Sequence, residues 1–235
     1  MVVAITGSNL EGKAMGIFRS ISCSSIVAFA ASLACPGLAM AEDAPITIVD
    51  LGDSYIIGYG IIVSGETFPV RLQAALDAAG RSVKVVDTGF VDTSKNGLQW
   101  LTKEAEGMAL MADPAGHAVI LELGQNDCGH FTLDQTRANL DGILAELAEK
   151  KIPVLVVGTA AYARCGADYV AAFPEVFRGL AAKYGDLLYP DFKEGVTGHP
   201  ELSLDGDHAN GAGEAIVVER MLPSVLELID RVEKP

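Results

Sequence analysis

The chain has 235 residues, a formal net charge of -14 at pH 7, a pI near 4.6 and a hydrophobic fraction of 50%. That length is ample for one well-cored domain and short for two. The acidic balance argues against a nucleic-acid partner, whose phosphates would repel it.

The N-terminal segment differs in composition from the rest. Lys13 and Arg19 precede an apolar, small-residue run from Ile21 to Leu38, and Ala39-Met40-Ala41 supplies an A-x-A cleavage site. This is the layout of a secretory signal peptide over residues 1–41, with the mature chain beginning at Glu42. Met15, followed by Gly-Ile-Phe-Arg, makes a tidier start and leaves residues 1–14 as extra sequence. Ser22, Ser24, Ser25, Ser32 and Pro36 make the run a poor permanent span, so no stable membrane insertion is expected. The expected location is secreted or periplasmic. Cys23 and Cys35 leave with the signal, and Cys128 and Cys165 remain in an oxidising compartment.

Residues 42–235 read as a single domain without repeats or long linkers. Ile46 to Leu51 is a buried strand. Phe68 to Ala79 carries Phe68, Leu72, Ala75, Leu76 and Ala79 on one helical face, closed by Gly80. Val83 to Val86 is a second strand, a helix follows from about Leu98 to Met111, and Ala118 to Leu123 is a third strand. Thr132 to Lys150 is the clearest helix. Thr132 and Gln135 have capping-box spacing, and Leu133, Leu140, Ile143, Leu144 and Leu147 form the stripe. Pro153 to Gly158 is a fourth strand, Tyr169 to Tyr184 a helix with a kink or fresh start at Pro174, and Leu187 to Tyr189 a short fifth strand. Gly213 to Arg231 closes the chain as a helix interrupted by Pro223.

Strands alternating with helices, the strands short and continuously apolar, imply a parallel sheet covered on both faces: a three-layer α/β/α domain. Such sheets carry their sites at the carboxyl ends of the strands. That rule singles out Gly52-Asp53-Ser54, the stretch from Asp87 to Ser94, Gly124-Gln-Asn-Asp127 and the stretch from Gly158 to Gly166, with Asp205-Gly-Asp-His208 ahead of the last helix.

A serine at a strand-to-helix turn is a poor nucleophile unless a base and an anion-stabilising site attend it. His208 has an imidazole that can take the serine proton, and Asp205, three residues earlier in the same loop, can hold its other nitrogen. Asn126, beyond the third strand, can donate an amide hydrogen to an oxyanion. Taken singly, each of these segments is equally explained by turn chemistry. His117, His130 and His199 lack a comparable context and read as surface or loop residues, His130 being nearest a strand end.

Taken together and in order, Gly-Asp-Ser, Gly-x-Asn-Asp and Asp-x-x-His resemble the SGNH/GDSL hydrolase superfamily, in particular its thioesterase-I/lysophospholipase and arylesterase-like branch. Gly58-Tyr59-Gly60, Phe68-Pro-Val-Arg-Leu-Gln73, Asp92-Thr-Ser94, Gly97-Leu98, Leu121-Glu-Leu-Gly124 and Gly166-Ala-Asp-Tyr169 extend the similarity over residues 46–222. The resemblance implies a five-stranded sheet in the flavodoxin-like order 2-1-3-4-5 and hydrolysis of acyl esters through an acyl-enzyme. It implies Ser54 as nucleophile, His208 as base, Asp205 as its acid partner, and the Ser54 N–H and Asn126 as oxyanion donors. The third oxyanion donor is usually a glycine amide just before Asp-Thr-Ser. Here that block is a residue shorter and Val91 stands before Asp92, so Gly89 or the Val91 backbone is the candidate. Tyr55 and Ile56, beside the serine, and Tyr162, in a loop that borders the acyl pocket in the resembling family, are the substrate-binding candidates. Ala209 stands where proline usually follows the histidine.

In the order 2-1-3-4-5 the third and fourth strands are neighbours, so Cys128 and Cys165, in the loops that follow them, are expected to form a disulfide. No metal or organic cofactor is implied, since there is neither a Cys/His ligand cluster nor a phosphate-cradling glycine loop. The expected partner is a small-molecule ester, with short-chain or aryl esters favoured. The same residues would serve a thioesterase or lysophospholipase. From a different class, the altered second block is the one feature that favours a non-catalytic binding module. The motifs carry no information on oligomeric state.

Overall fold

The computed structural model describes residues 45–63 and 65–234, so the signal peptide read over residues 1–41 lies outside the described residues. Five parallel strands, β1 (Ile46–Gly52), β2 (Val83–Asp87), β3 (His117–Glu122), β4 (Val154–Val157) and β5 (Leu187–Tyr189), form one sheet in the order β2-β1-β3-β4-β5. The helices are α1 (Phe68–Ala78), α2 (Ser94–Lys103), α3 (Ala105–Ala112), α4 (Leu133–Glu149), α5 (Ala167–Tyr184) and α6 (Gly211–Glu233). Alternate residues of each strand feed two cores. Ile48 and Ile120 pack with Leu72 and Leu76 of α1 and Met221, Val225 and Leu228 of α6. Val49, Leu51 and Leu121 pack on the other face with Leu101, Leu140, Ile143 and Phe173. The domain is thus α/β/α, with α1 and α6 on one side and α2 to α5 on the other.

Three helices differ from their sequence reading. The helix expected from Leu98 to Met111 is two: α2 begins earlier, where the Thr93 hydroxyl accepts from the Asn96 N–H, and the chain breaks at extended Glu104 before α3. Gly107 allows α3 to fold back, because a Cβ there would lie 2.1 Å from the Trp100 carbonyl oxygen. Pro174 and Pro223 do not interrupt α5 and α6. Each removes one backbone donor, but buried Phe173, Val176 and Phe177 in α5, and Met221 and Val225 in α6, hold the flanking turns to the sheet. Asn210 caps α6, its side-chain oxygen accepting from the Ala212 and Gly213 N–H groups at 3.0 Å.

β1 switches the chain direction across the sheet: β2 lies on one side of it and β3 on the other. The turns that leave β1 and β3 therefore rise side by side at the carboxyl edge, where such sheets bind ligands. Gly52, paired in register with Glu122, ends β1 where the following turn folds back over it. A Cβ at Gly52 would fall 2.3 Å from Ile56 Cγ1 and 3.0 Å from the Glu122 carbonyl oxygen. We predict that Gly52→Ala destabilises the domain by about 1–3 kcal/mol through this overpacking. Urea unfolding of the variant at wild-type stability would show that the turn moves aside freely.

Candidate active site

The turn after β1 winds helically. The Asp53 carboxylate accepts from the Tyr55 N–H at 3.0 Å, and the Asp53 and Ser54 carbonyls accept from Ile57 and Tyr59 at 3.3 and 3.0 Å. This leaves Ser54 half-buried at the sheet edge, its N–H making no hydrogen bond among the described residues. His208 Nε2 stands 3.0 Å from Ser54 Oγ, and His208 Nδ1 stands 2.8 Å from Asp205 Oδ2. The carboxylate therefore fixes the tautomer: Nδ1 carries the hydrogen, and the Nε2 lone pair faces the serine hydroxyl.

The loop holding the imidazole is tightly knit. Asp205 Oδ1 accepts from the N–H groups of Asp207 and His208 at 2.9 and 2.8 Å, and Ser203 Oγ accepts from Gly206 N–H while donating to the His208 carbonyl. Hydrogen bonds from the His208 N–H, the His208 ring and the Asp207 N–H hold the Asp205 carboxyl down at about 2, so it is ionised near neutral pH.

Asn126 lies in a short 3₁₀ turn, Gln125–Asp127, entered through Gly124 at φ +117°, a backbone region that L side chains rarely adopt. Asp127 is fully buried and anchors this turn to the start of α2, accepting from the Ser94 N–H at 2.9 Å and from the Ser94 hydroxyl. The Asn126 amide donates to Asp53 Oδ2 and to the Asp92 carbonyl, both at 3.2 Å, beside the serine turn.

With Ser54, His208, Asp205 and Asn126 at one edge of the sheet, the comparisons decide the family. The GDSL-like lipase/acylhydrolase family model matches residues 51–216. The chain belongs to the GDSL-like lipase/acylhydrolase family. It is 29% identical to Esterase TesA of Pseudomonas aeruginosa over 186 residues, covering 78% of this chain and 89% of that protein. It is 28% identical to thioesterase 1/protease 1/lysophospholipase L1 of Escherichia coli K12, covering 78% of this chain and 85% of that one. The solved structure of AlinE4, an SGNH-hydrolase family esterase, is 33% identical and superposes with a TM-score of 0.62, covering 78% of this chain and 96% of that one. The protein is a carboxylic ester hydrolase of the SGNH type.

Several sequence assignments change within this frame. Neither candidate for the third oxyanion donor presents a free N–H: that of Gly89 donates to Asp87 Oδ1 at 2.7 Å and that of Val91 to the Gly52 carbonyl at 3.1 Å. Tyr55 and Ile56 do not line an open acyl site. They are 2% and 0% exposed because the helical turn aims both into the core, Tyr55 stacking on Phe192. Tyr162 is half-buried, and its hydroxyl donates to Asp207 Oδ2 at 2.8 Å. His117, His130 and His199 make no contact with Ser54; His117 and His199 bond to Ala115 and Glu201, and His130 is exposed beside Phe131. Cys128 and Cys165 are brought to bonding distance, with Cα atoms 5.7 Å apart.

Three features were not legible beforehand. Tyr59, 57% exposed, has its ring 5.0 Å from the His208 ring. Gly58-Tyr59-Gly60 marks the turn but not this contact. Asp207 and Lys193 form an ion pair beside His208 at 2.8 Å. Burial pushes the Asp207 carboxyl up, but the bonds from Lys193, Tyr55 and Tyr162 outweigh it and hold the group below the usual carboxylate range. Asp53 and Glu122, finally, are buried against each other. Burial, then the Asp53 charge, pushes Glu122 well up, and burial raises Asp53 to about 6.

Raised carboxyls mean that the folded state holds protons the unfolded chain releases. The stability this adds is full below the ordinary carboxylate range and is lost as pH rises through the raised values. Asp50 and Glu214, also raised by burial, act in the same direction. We predict that Glu122→Gln, a permanently neutral isostere, flattens the decline in unfolding free energy as pH rises above the ordinary carboxylate range, relative to wild type. An identical slope in urea unfolding of the two proteins would remove Glu122 from this account.

Proposed function

We propose that the protein hydrolyses esters through an acyl-enzyme formed on Ser54. His208 acts as general base then general acid, Asp205 orients it, and the Ser54 N–H and Asn126 serve as oxyanion donors. The observation that carries this reading is the continuous relay Ser54 Oγ–His208 Nε2–Nδ1–Asp205, at 3.0 and 2.8 Å. Nε2 takes the hydroxyl proton as Oγ attacks the ester carbonyl, and Asp205 stabilises the imidazolium. The negative charge that develops on the carbonyl oxygen is met by the unpaired Ser54 N–H and the Asn126 amide. The Asn126 amide has two hydrogens, and the exposed contact with the Asp92 carbonyl is the one that yields to the oxyanion. The imidazolium then protonates the departing alcohol. Water, deprotonated by His208, attacks the acyl-serine and releases the acid.

Short acyl or aryl esters are the substrates we favour. Tyr59 presents an aromatic face beside the imidazole, and Ile62 and Val63 in the same loop are exposed, which suits a small apolar substrate at an open edge. Thioesters and lysophospholipids share the chemistry, and activity on matched oxygen and thiol esters ranks them.

The experiment is kinetic, on p-nitrophenyl acetate. Ser54→Ala is expected to abolish turnover with the fold intact. Asn126→Ala is expected to lower kcat by on the order of a hundred- to a thousandfold with a smaller change in KM, because an oxyanion donor acts mainly in the transition state. Activity is expected to fall as the pH is lowered, because only a neutral imidazole accepts the serine proton, and Asp205, held down at about 2, adds no step near neutral pH. Turnover near wild type in Ser54→Ala would refute the nucleophile, and an unchanged kcat in Asn126→Ala would reduce that residue to a turn former.

We further infer that the chain is exported, cleaved after Ala41 and oxidised at Cys128–Cys165. The leader-like composition of residues 13–41 and the approach of the two sulfurs support this. Among the described residues no helix is long and apolar enough to cross a membrane. The bridge would tie the loop after β3, which carries Asn126, to the loop after β4, which carries Tyr162. The mass of the exported chain, measured without reduction, should correspond to residues 42–235 less two hydrogens. A mass with both thiols intact, or with the leader retained, would refute the corresponding half of the inference.

A further inference from the structure

The two aspartates that flank Gly206 point in opposite directions. Asp205 turns outward to the imidazole; Asp207 turns inward. The Asp207 carboxylate accepts from three donors, and its backbone carbonyl from one of them again. Oδ1 takes the Tyr55 hydroxyl and Lys193 Nζ at 2.8 Å, Oδ2 takes the Tyr162 hydroxyl at 2.8 Å, and Lys193 also reaches the Asp207 carbonyl at 3.2 Å. Lys193 closes the ring of contacts by donating to the Tyr55 hydroxyl at 2.7 Å. The cluster draws on four separate segments: the turn after β1, the loop after β4, the loop after β5, and the loop before α6.

The connectivity matters more than the count. Tyr55 follows Ser54 directly, and Asp207 directly precedes His208. The Tyr55–Asp207 bond is therefore a second rung, parallel to the Ser54–His208 contact and one residue removed from it on both chains. The first rung must stay labile for proton transfer; the second has no such duty, and its Tyr55 end is buried, only 2% exposed. Its geometry is further fixed by ring contacts: Tyr55 stacks on Phe192 at 5.6 Å and meets the His208 ring edge-on at 5.5 Å, while Lys193 Nζ lies 4.6 Å from the Tyr55 ring centre.

A partly buried charged cluster is seldom the most stable way to fill such a space; packed apolar side chains of the same volume often do as well or better. What directional bonds add is a fixed position. We propose that Asp207, held by Lys193, Tyr55 and Tyr162, is a positioning residue that sets the approach of the His208 imidazole to Ser54. This inference rests on the reading of His208 as the base. Tyr162 extends the clamp to the loop after β4, so that the nucleophile turn, the base loop and the loop beside Cys165 move as one unit.

The test is a double-mutant comparison on p-nitrophenyl acetate. Tyr55→Phe keeps the ring on Phe192 and removes only the hydroxyl of the second rung. The paired substitution Asp207→Leu with Lys193→Met removes both charges together, so neither is left buried alone. Each is made in the wild-type and the His208→Ala backgrounds. Both are expected to lower kcat by about ten- to a hundredfold, with KM within about twofold, because misplacement of the base affects the transition state more than substrate binding. In His208→Ala the same substitutions are expected to cost nothing further, since there is no imidazole to position. Wild-type kcat in both variants, or equal losses in the two backgrounds, would overturn the clamp while leaving the base assignment in place. High turnover in His208→Ala itself would overturn the base assignment and the clamp with it.

Discussion

The pairing of β1 with β3 is the constraint on which the site depends. Because β2 and β3 flank β1, the turn after β1 and the turn after β3 emerge as neighbours at the carboxyl edge. The Gly52–Glu122 register pair stands at the last rung of that ladder, and the chain immediately beyond it carries Asp53 and Ser54 on one side and Gly124 to Asp127 on the other. The serine, its own N–H and the Asn126 amide share a corner because two strands share a register. His208 is delivered from a distance, by a loop that α6 and its Asn210 cap hold against the same edge.

Carboxyl groups are distributed unevenly in this acidic chain, and the distribution separates tasks. Asp205 is solvated, hydrogen-bonded three times and firmly ionised, as a partner for an imidazolium must be. Asp207, two residues on, is partly buried and neutralised by Lys193. Asp53 and Glu122 are buried with no cation in contact among the described residues, and burial keeps at least one of them protonated over much of the acid range. Asp127, fully buried like Glu122, is spent on holding Ser94 and so fixes the turn from which Asn126 projects.

The second sequence block departs from the pattern of the resembling family. Where the resembling family places a glycine amide, this chain has Val91, and its N–H completes a backbone bond to Gly52. The loop is drawn onto β1, and Thr93 caps α2 directly afterwards. Among the described residues the Ser54 N–H makes no hydrogen bond, and the Asn126 amide stands beside the serine turn. The chain's membership of the GDSL-like family, which also rests on the surrounding motifs, is unaffected by this loss.

Much of this was legible in the sequence, and for a physical reason. Hydrophobic periodicity reports which face of an element is buried, so the five strands and the stripes of α1 and α4 could be read from Ile46, Val83, Leu72 and Leu140 and their neighbours. Cap chemistry is likewise local, and the Thr132–Gln135 box forms as its spacing indicates. Ser54, Asn126, Asp205 and His208 stood out because they occupy strand ends and turns, where polar residues are not required by the core. What tertiary structure alone decided was direction and pairing. Tyr55 follows the serine and reads as a substrate contact, yet the turn's winding sends it inward. Asp207 and Lys193 are fourteen residues apart in the chain, with nothing in either local context to join them. The helices through Pro174 and Pro223 survive because long-range packing outweighs a missing local donor. A sequence states what each segment prefers by itself; which groups meet across the sheet edge depends on strand order and register, properties of the whole fold.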